Sequence, residues 1–332
     1  MGATVIGAGS WGTALAIQLA RAGHAVCLWS RDAEHAAAMQ SEHRNQRYLP
    51  DCRLPPALEA TADMEQAAHA GTELIVCAVP SHAVRETMGA LRPWLRDDTI
   101  LVSASKGIEE GTSKRMSEVI AEATGAPERT AVLSGPSFAR EVADEMPTVV
   151  TAAAESVERA EFVQHYFASP MFRVYGATDL VGVEIGGAVK NVIAIAAGVS
   201  DGLGLGHNTR AALITRGLAE VNRLAVRLGA DPVTVTGLSG MGDLVLTCTG
   251  SLSRNRSVGM KLGQGEALKD VLASMGQVAE GVRNTVAIDD MARELGVEMP
   301  ITQQMRALLF DGKTPQEAMV QLMTRQLKAE FA

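Results

Sequence analysis

One glycine pattern constrains the fold of this chain more than any other feature of its sequence. Residues 7–12 read Gly-Ala-Gly-Ser-Trp-Gly, after an apolar run and before a stretch rich in alanine and leucine. In this context the spacing is typical of the turn between the first strand and first helix of a dinucleotide-binding βαβ unit. Gly7 allows a tight turn, Gly9 lets the backbone approach a diphosphate, and Gly12 lets helix and strand pack closely. A turn in which the glycines serve packing alone is the alternative.

Apolar runs and amphipathic stretches alternate up to about residue 175. We predict strands at residues 3–6, 25–29, 73–79, 99–102, 131–133, 148–151 and 172–174. Such near-continuous hydrophobic strands indicate a parallel sheet covered by helices on both faces. Beyond Thr178 helical patterns dominate, at residues 180–199, 209–228, 267–275, 285–295 and 315–324. We therefore expect an α/β fold, with a doubly wound, mainly parallel Rossmann-type sheet in residues 1–177 and an all-α domain in residues 178–332.

Charge and cysteine content disfavour several functional classes. The net charge of −8 disfavours a nucleic-acid partner, which usually requires a basic surface. The four cysteines form no C-x-x-C pair, so we expect reduced thiols and no metal centre. The most hydrophobic stretch, residues 180–199, contains Glu184 and Lys190, which indicates a buried helix and no membrane insertion. No targeting segment is visible at the start of the sequence, so we expect a cytoplasmic protein.

The residues after the second predicted strand bear on the choice of cofactor. An NAD-specific site usually has an acidic residue there, which binds the ribose 2′-hydroxyl. This sequence has Ser30-Arg31-Asp32. Arg31 suits a 2′-phosphate, whereas Asp32 suits the N-cap of the next helix. We therefore expect NADPH as the cofactor, with NADH tolerated.

Small and polar residues follow three of the later strands, where a parallel sheet places its ligand crevice. They lie at residues 80–81, 105–107 and 134–137. Lys106 stands out among them because a cation at this edge of the sheet would face both cofactor and substrate. A solvated loop lysine is the alternative interpretation.

Lys190 is the strongest local anomaly in the sequence. It lies among small and apolar residues with helical spacing, although lysine is seldom buried. A desolvated lysine has a lowered pKa and can transfer a proton near neutral pH, as the interconversion of an alcohol and a ketone requires. Two structural roles are the alternatives: a side chain that extends to solvent at a helix end, or an ion pair with Glu184.

Two later segments carry further polar groups. Asp243, between glycines and an apolar run, is a candidate partner for the catalytic lysine or a helix cap. Residues 251–256 read Ser-Leu-Ser-Arg-Asn-Arg, a set that can bind phosphate oxygens or form a solvated turn. Cys248 is a candidate thiol nucleophile, but it lies between threonines with no histidine nearby, which favours a packed thiol.

Eight sequence blocks together give a more specific indication. In chain order they are GAGSWGTALA, VPSHAV, SKGIE, LSGPSFA, GVEIGGAVKNVIAIAAG, ALITRGLAE, GDLVLTCTGSLSRNR and GVEMPIT. With these blocks the chain resembles the bacterial NAD(P)-dependent glycerol-3-phosphate dehydrogenases from its first strand to its last helices. The resemblance implies interconversion of sn-glycerol 3-phosphate and dihydroxyacetone phosphate with NADPH or NADH, for phospholipid synthesis and without a metal.

The resemblance also implies roles for individual residues. Lys190 is then the proton acceptor in oxidation and the donor in reduction, with Asp243 and Lys106 beside it. The implied substrate-binding residues are Lys106, Gly135, Ser137, Lys190, Asp243, Ser253, Arg254 and Asn255. The implied cofactor-binding residues, with the turn glycines included, are Gly7, Gly9, Ser10, Trp11, Gly12, Arg31, Tyr48, Lys106, Ala139, Arg254, Val278 and Glu280.

Two other functions remain open on the sequence alone. A β-hydroxyacid or 6-phosphogluconate-type dehydrogenase also uses a helix lysine after glycines, but has Asn four residues later, where this chain has Ala194. A redox-sensing dinucleotide-binding protein without catalysis would need neither a buried lysine nor the cluster at 253–255. The sequence does not fix the oligomeric state, and a homodimer is one of the arrangements left open.

Overall fold

An eight-stranded sheet forms the first part of the protein in the computed structural model, which describes residues 2–275, 279–327 and 329–330. The strands of this described part, including a separate two-stranded hairpin of β3 and β4, are β1 (Gly2–Ile6), β2 (Ala25–Trp29), β3 (Arg44–Asn45), β4 (Leu49–Arg53), β5 (Leu58–Thr61), β6 (Leu74–Cys77), β7 (Ile100–Ser103), β8 (Thr130–Ser134), β9 (Thr148–Ala154) and β10 (Phe172–Ala177).

The order of strands in the large sheet creates a crevice at its centre. The order is β10-β9-β8-β7-β6-β1-β2-β5, and neighbouring strands are parallel except for β8 and β9. The chain runs outward from β1 to β2 and β5, then returns to the other side of β1 as β6. Ligands bind parallel sheets at such a reversal, outside the carboxyl ends of the strands.

All seven predicted strands are confirmed, with ends shifted by a few residues. Strands β3, β4 and β5 were not predicted. Their sequences, RN, LPDCR and LEAT, lack a continuous apolar run, since these strands lie in a hairpin or at the sheet edge and remain partly exposed. The expected α/β class with a mainly parallel sheet is confirmed.

Helices cover the sheet and then form the rest of the chain. Those interspersed with the strands are α1 (Ser10–Arg21), α2 (Ala33–Glu42), α3 (Met64–Ala70), α4 (Val84–Leu91), α5 (Met116–Thr124), α6 (Ala139–Ala143) and α7 (Val157–Phe167). Those that follow β10 are α8 (Leu180–Gly202), α9 (Gly206–Arg227), α10 (Pro232–Val235), α11 (Asp243–Thr249), α12 (Arg254–Gly263), α13 (Leu268–Ser274), α14 (Glu280–Glu294), α15 (Pro300–Phe310) and α16 (Pro315–Met323).

Helix α8 is the core of the helical region. Among the described residues it alone is long and apolar enough to cross a membrane, yet 89% of its most hydrophobic window is buried inside the protein. It packs backbone to backbone on α12: a Cβ at Gly198 would lie 2.0 Å from the Arg256 carbonyl oxygen, and one at Gly259 would lie 2.0 Å from that of Ile195. The hydrophobicity of α8 is therefore that of a central packed helix.

A buried carboxylate joins α8 to the sheet-bearing part of the chain. Glu184 accepts hydrogen bonds from the backbone N–H of Ser117 at 2.8 Å and from its hydroxyl at 2.6 Å, and pairs with Arg115 at 2.8 Å. Burial raises the pKa of Glu184, and the Arg115 and Ser117 contacts oppose that rise. The interpretation of Lys190 as an ion-pair partner of Glu184 is wrong, because the Glu184 carboxylate instead binds Arg115 and Ser117 at the start of α5.

This connection gives a prediction for stability. We expect Glu184→Ala to lower the free energy of unfolding by about 3 kcal/mol, because it removes the buried carboxylate that Ser117 and Arg115 bind and leaves Arg115 with only the exposed Glu118 as its carboxylate partner among the described residues. Urea denaturation followed by circular dichroism measures the change. The control is Glu122→Ala on α5, the helix that Glu184 contacts; the exposed ion pairs of Glu122 with Arg85 and Lys114 contribute little to stability. Equal losses in both variants would contradict the prediction.

Candidate active site

The glycine turn lies at the carboxyl end of β1. Gly7 has a φ of +116°, and a Cβ there would lie 2.9 Å from the backbone of Ala78. A Cβ at Gly12 would lie 1.9 Å from the Gly7 carbonyl oxygen, whereas one at Gly9 would meet nothing within 4 Å. The glycine turn is thus tightly packed at Gly7 and Gly12, but there is open space at Gly9, where α1 begins. This shape fits a dinucleotide diphosphate at a helix N-terminus.

Two side chains at the start of α1 fix the turn to its surroundings. The Ser10 hydroxyl donates to the Tyr48 carbonyl oxygen at 2.9 Å, and the Trp11 indole N–H donates to that of Ala104 at 3.2 Å. Ser10 therefore connects the turn to the β3–β4 hairpin, and Trp11 connects it to the end of β7. Both residues lie beside the open position at Gly9.

The two charged residues after β2, Arg31 and Asp32, lie in different environments. Asp32 is the N-cap of α2, where its carboxylate accepts from the His35 backbone N–H at 3.1 Å and pairs with Arg47 at 3.3 Å. The hydrogen bond from the His35 backbone lowers the pKa of Asp32. Arg31 is exposed at the carboxyl end of the strand. It is therefore accessible to a cofactor ribose, while Asp32 serves the helix.

Lys190 and Lys106 share one buried carboxylate, that of Asp243. Lys190 Nζ donates to Asp243 Oδ1, and Lys106 Nζ donates to Oδ2 at 2.6 Å. Lys190 Nζ also donates to Thr247 Oγ1 at 3.0 Å, and Lys106 Nζ donates to the Gly135 carbonyl oxygen at 3.1 Å. Asp243 is 1% exposed and Lys190 is 7% exposed. The three charged groups form a cluster that joins the end of β7 to α8 and α11.

The environment of Lys190 brings its pKa close to neutral pH. Burial lowers the pKa of its ammonium to about 8, and the neighbouring positive charge of Lys106 acts in the same direction. The negative charge of Asp243 opposes both effects. A group with this pKa exists in both protonation states near neutral pH, as a general acid and base requires.

Glycines on α8 make room for the cluster. A Cβ at Gly186 would lie 2.7 Å from the carbonyl oxygen of Ser239, and one at Gly187 would lie 2.8 Å from Ser134 Oγ and 3.6 Å from the Lys106 side chain. The helix can therefore approach both the end of β8 and the turn before α11. Lys190 follows one turn later on α8, which brings its amine to Asp243.

The start of α12 lies beside this cluster. Ser253 is the N-cap, its hydroxyl accepting from the Arg256 backbone N–H at 3.2 Å. Asn255 donates to Asn191 Oδ1 at 2.9 Å and accepts from the Gly281 backbone N–H at 3.0 Å. Because Asn191 follows Lys190 on α8, these contacts bring the segment 253–255 to the part of α8 that carries Lys190.

Arg254 and Glu280 form an electrostatic pair near the same place. Burial raises the pKa of Glu280 to about 7, and the positive charge of Arg254 opposes this rise. Burial likewise lowers the pKa of Arg254, and Glu280 opposes that shift. The charges of Lys106 and Lys190 also act on Glu280, so these four charged residues interact electrostatically.

The remaining predicted positions are distributed around this centre. Ser137 donates to the Gly135 carbonyl oxygen at 2.9 Å, the same atom that accepts from Lys106. Ala139 begins α6 and packs against the core next to the sheet. Tyr48 lies in the loop between β3 and β4, with its ring centroid 5.5 Å from that of His35 in an edge-to-face arrangement. Val278 lies outside the described residues.

Three residues at the site were missed in the sequence: Asn191, Thr247 and Asn284. Thr247 lies four residues after Asp243 on α11 and so on the same face, a spacing that could have indicated it. Asn284 donates to the Lys106 carbonyl oxygen at 3.1 Å from α14, 178 positions away in the chain. No local sequence signal reports such a distant contact.

The four cysteines are buried and free. Burial raises the pKa of the Cys248 thiol to about 12, although the positive charge of Lys190 opposes it. A thiol with this pKa stays protonated at neutral pH and is a poor nucleophile. The structure therefore favours the packed-thiol interpretation of Cys248.

Family models match both parts of the chain. A model described as the NAD-dependent glycerol-3-phosphate dehydrogenase N-terminus matches residues 2–160, and one described as the C-terminus of the same enzyme matches residues 179–320. The chain belongs to the NAD-dependent glycerol-3-phosphate dehydrogenase family. The resemblance inferred from the sequence blocks is thereby confirmed.

Individual members of the glycerol-3-phosphate dehydrogenase family are similar over nearly the whole chain. Glycerol-3-phosphate dehydrogenase (NAD(P)+) of Citrifermentans bemidjiense is 55% identical over 329 residues, 98% of each chain. The enzyme of the same name from Geobacter sulfurreducens is 56% identical over the same share. A crystal structure of glycerol-3-phosphate dehydrogenase from Coxiella burnetii has a TM-score of 0.93 at 42% identity, covering 97% of this chain and 98% of that one. The fold and the glycine turn are therefore those of an NAD(P)-dependent dehydrogenase.

Proposed function

We propose that this protein interconverts sn-glycerol 3-phosphate and dihydroxyacetone phosphate with NADH or NADPH. The observation that carries the proposal is the buried cluster of Lys190, Asp243 and Lys106 beside the ligand crevice of a dinucleotide-binding sheet. The relatives named above support the substrate and cofactor classes. Family membership favours this reaction over 6-phosphogluconate oxidation and over redox sensing without catalysis.

Lys190 is the proton donor in reduction and the acceptor in oxidation. When bound, the nicotinamide cofactor supplies the hydride for the ketone or accepts it from the alcohol. In reduction the Lys190 ammonium donates its proton to the C2 oxygen, where negative charge develops. Asp243 holds the ammonium in place, and the ammonium of Lys106 adds a second positive charge that stabilises the developing alkoxide.

The start of α12 holds the phosphate of the substrate. Arg254 offers a guanidinium that can bind two phosphate oxygens, and Ser253 and Asn255 place a hydroxyl and an amide next to it. Together with Gly135 and Ser137 they orient the three-carbon substrate so that C2 faces Lys190. Such positioning supplies several kcal/mol of the reduction in barrier.

The glycine turn and the carboxyl ends of the strands would hold the cofactor. Gly7, Gly9, Ser10, Trp11 and Gly12 would bind its diphosphate. The other residues proposed to bind the cofactor are Arg31, Tyr48, Lys106, Ala139, Arg254, Val278 and Glu280.

The broader setting is also a proposal. The domain boundary falls between β10, which ends at Ala177, and α8, which begins at Leu180. Residues 1–177 form the NAD(P)-binding domain and residues 178–332 the helical substrate and catalytic domain, with each domain also supplying residues to the other ligand. The protein acts in the cytoplasm, where its product feeds phospholipid synthesis, and two copies form a homodimer. It has no nucleic-acid partner, in keeping with its net charge of −8.

A direct assay tests the proposed reaction. We expect the absorbance of the reduced nicotinamide to fall when dihydroxyacetone phosphate is added to the purified protein, with each cofactor in separate reactions. Oxidation of 6-phosphogluconate without activity on dihydroxyacetone phosphate would support the other dehydrogenase class. Cofactor binding without turnover on any phosphorylated ketone would support a sensor.

A further inference from the structure

A fully buried amide lies directly beneath the glycine turn. Asn45, at the end of β3, donates from Nδ2 to the Ala8 carbonyl oxygen at 2.9 Å and to Thr13 Oγ1 at 2.8 Å. Its Oδ1 accepts from the Tyr48 backbone N–H at 3.1 Å and contacts His35 Nε2 at 2.9 Å. Because the Ala8 carbonyl can only accept and the Tyr48 N–H can only donate, these contacts fix the orientation of the amide.

The same logic assigns the hydrogen on His35 Nε2. Since Asn45 Oδ1 is an acceptor, His35 Nε2 donates to it, and His35 Nδ1 lies within hydrogen-bond distance of Ser30 Oγ at 3.2 Å. Ser30 is the residue after β2 and directly precedes Arg31. A continuous chain of hydrogen bonds therefore runs from the glycine turn through Asn45 and His35 to the residue beside Arg31.

Peptide geometry shows what the bond to Ala8 achieves. In a planar trans peptide the C=O of one residue and the N–H of the next point in opposite directions. With the Ala8 carbonyl held by Asn45, the Gly9 N–H points away from Asn45, toward the other side of the turn. Gly9 is also the turn position at which a Cβ would meet nothing within 4 Å. The hydrogen bond from the Asn45 amide to Ala8 thus orients the Gly9 backbone N–H outward from the turn.

We propose that Asn45 is a positioning residue that sets the Gly9 amide for the cofactor diphosphate. Through His35 and Ser30 it couples this turn to the end of β2, where the cofactor ribose binds. This inference rests on the proposed function and deepens it, because it names residues that control cofactor affinity without contacting substrate.

Cofactor affinity is the quantity that tests this role. We expect Asn45→Ala to raise the KM for NADH and for NADPH about tenfold, the effect of one lost buried hydrogen bond. The KM for dihydroxyacetone phosphate and kcat at saturating cofactor stay within twofold. Asn45→Asp raises the cofactor KM further, because a carboxylate has no N–H for Ala8 and places two acceptors face to face.

A pair of substitutions at His35 keeps the proposal testable if the Asn45 variants fail to fold. His35→Ala removes the contact to Asn45 and raises the cofactor KM, whereas His35→Gln keeps an N–H donor and restores part of the affinity. The matched control is His69→Ala, an exposed histidine on α3, which leaves the cofactor KM unchanged. A merely structural role would give no such difference between alanine and glutamine at position 35.

Equilibrium titration with NADH, followed by nicotinamide fluorescence, separates this proposal from the proposed reaction. If the wild-type protein binds NADH but does not reduce dihydroxyacetone phosphate, the reaction is wrong and the titration still tests Asn45. If the wild-type protein is active and the folded Asn45 and His35 variants bind both cofactors within twofold of wild type, the positioning role is overturned.

Discussion

Lys190→Ala lowers kcat for the reduction of dihydroxyacetone phosphate about 10³-fold, while the Kd for NADPH changes less than threefold. The magnitude is that of a lost general acid, since the substrate oxygen no longer receives a proton from a positioned group. The protein stays folded, because Asp243 keeps its ion pair with Lys106 and is not left as a lone buried charge. Steady-state kinetics and a fluorescence titration with NADPH measure the two effects.

Lys269→Ala provides the matched control for this experiment. Lys269 is an exposed lysine on α13, so its removal leaves kcat within twofold of the wild-type value. If Lys190→Ala retained near-normal turnover, Lys190 would be excluded as the proton donor. If Lys190→Ala instead lost affinity for NADPH in proportion to its activity, the lysine would serve cofactor binding.

Asp243→Asn lowers kcat/KM for reduction at pH 7 about 10²-fold and shifts the pH profile. In the wild-type protein reduction requires the protonated amine, so kcat/KM falls as the pH rises through about 8, the pKa of Lys190. Oxidation requires the neutral amine and rises over the same range. Asparagine removes the negative charge that favours the ammonium, so the pKa of Lys190 falls and both transitions move to lower pH.

The pH profiles of reduction and of oxidation distinguish a lowered pKa of Lys190 from a general loss of structure. Asp311→Asn, at an exposed position after α15, serves as control and leaves the profiles unchanged. A transition that stayed at the wild-type pH in Asp243→Asn would show that Asp243 does not set the protonation of Lys190. A shift to higher pH would contradict the electrostatic argument altogether.

The parts of the fold that could be predicted are those whose signals are local. Strands β1, β6 and β8 are buried along nearly all of their length, so their apolar runs are continuous and easy to recognise. Strand β5 lies at the sheet edge and the β3–β4 hairpin lies outside the sheet, so neither needed such a run. Asn45 in that hairpin went unrecognised for the same reason.

The sequence by itself determined the glycine turn, the change from strands to helices near residue 178 and the presence of a lysine in an apolar helix. These features follow from steric limits at glycine, from hydrophobic periodicity and from the cost of burying charge, which all act within a few residues.

Only the tertiary structure decided which groups meet. Glu184, six positions before Lys190 on α8, was a candidate for its partner, but side chains six apart on a helix point about 120° away from each other. Glu184 therefore faces α5, and Lys190 faces Asp243, 53 positions further along the chain. Packing also brings Asn284 to the Lys106 carbonyl oxygen and Asn45 to the Ala8 carbonyl oxygen. The partner of a buried polar group is set by how helices and strands pack and not by distance along the sequence.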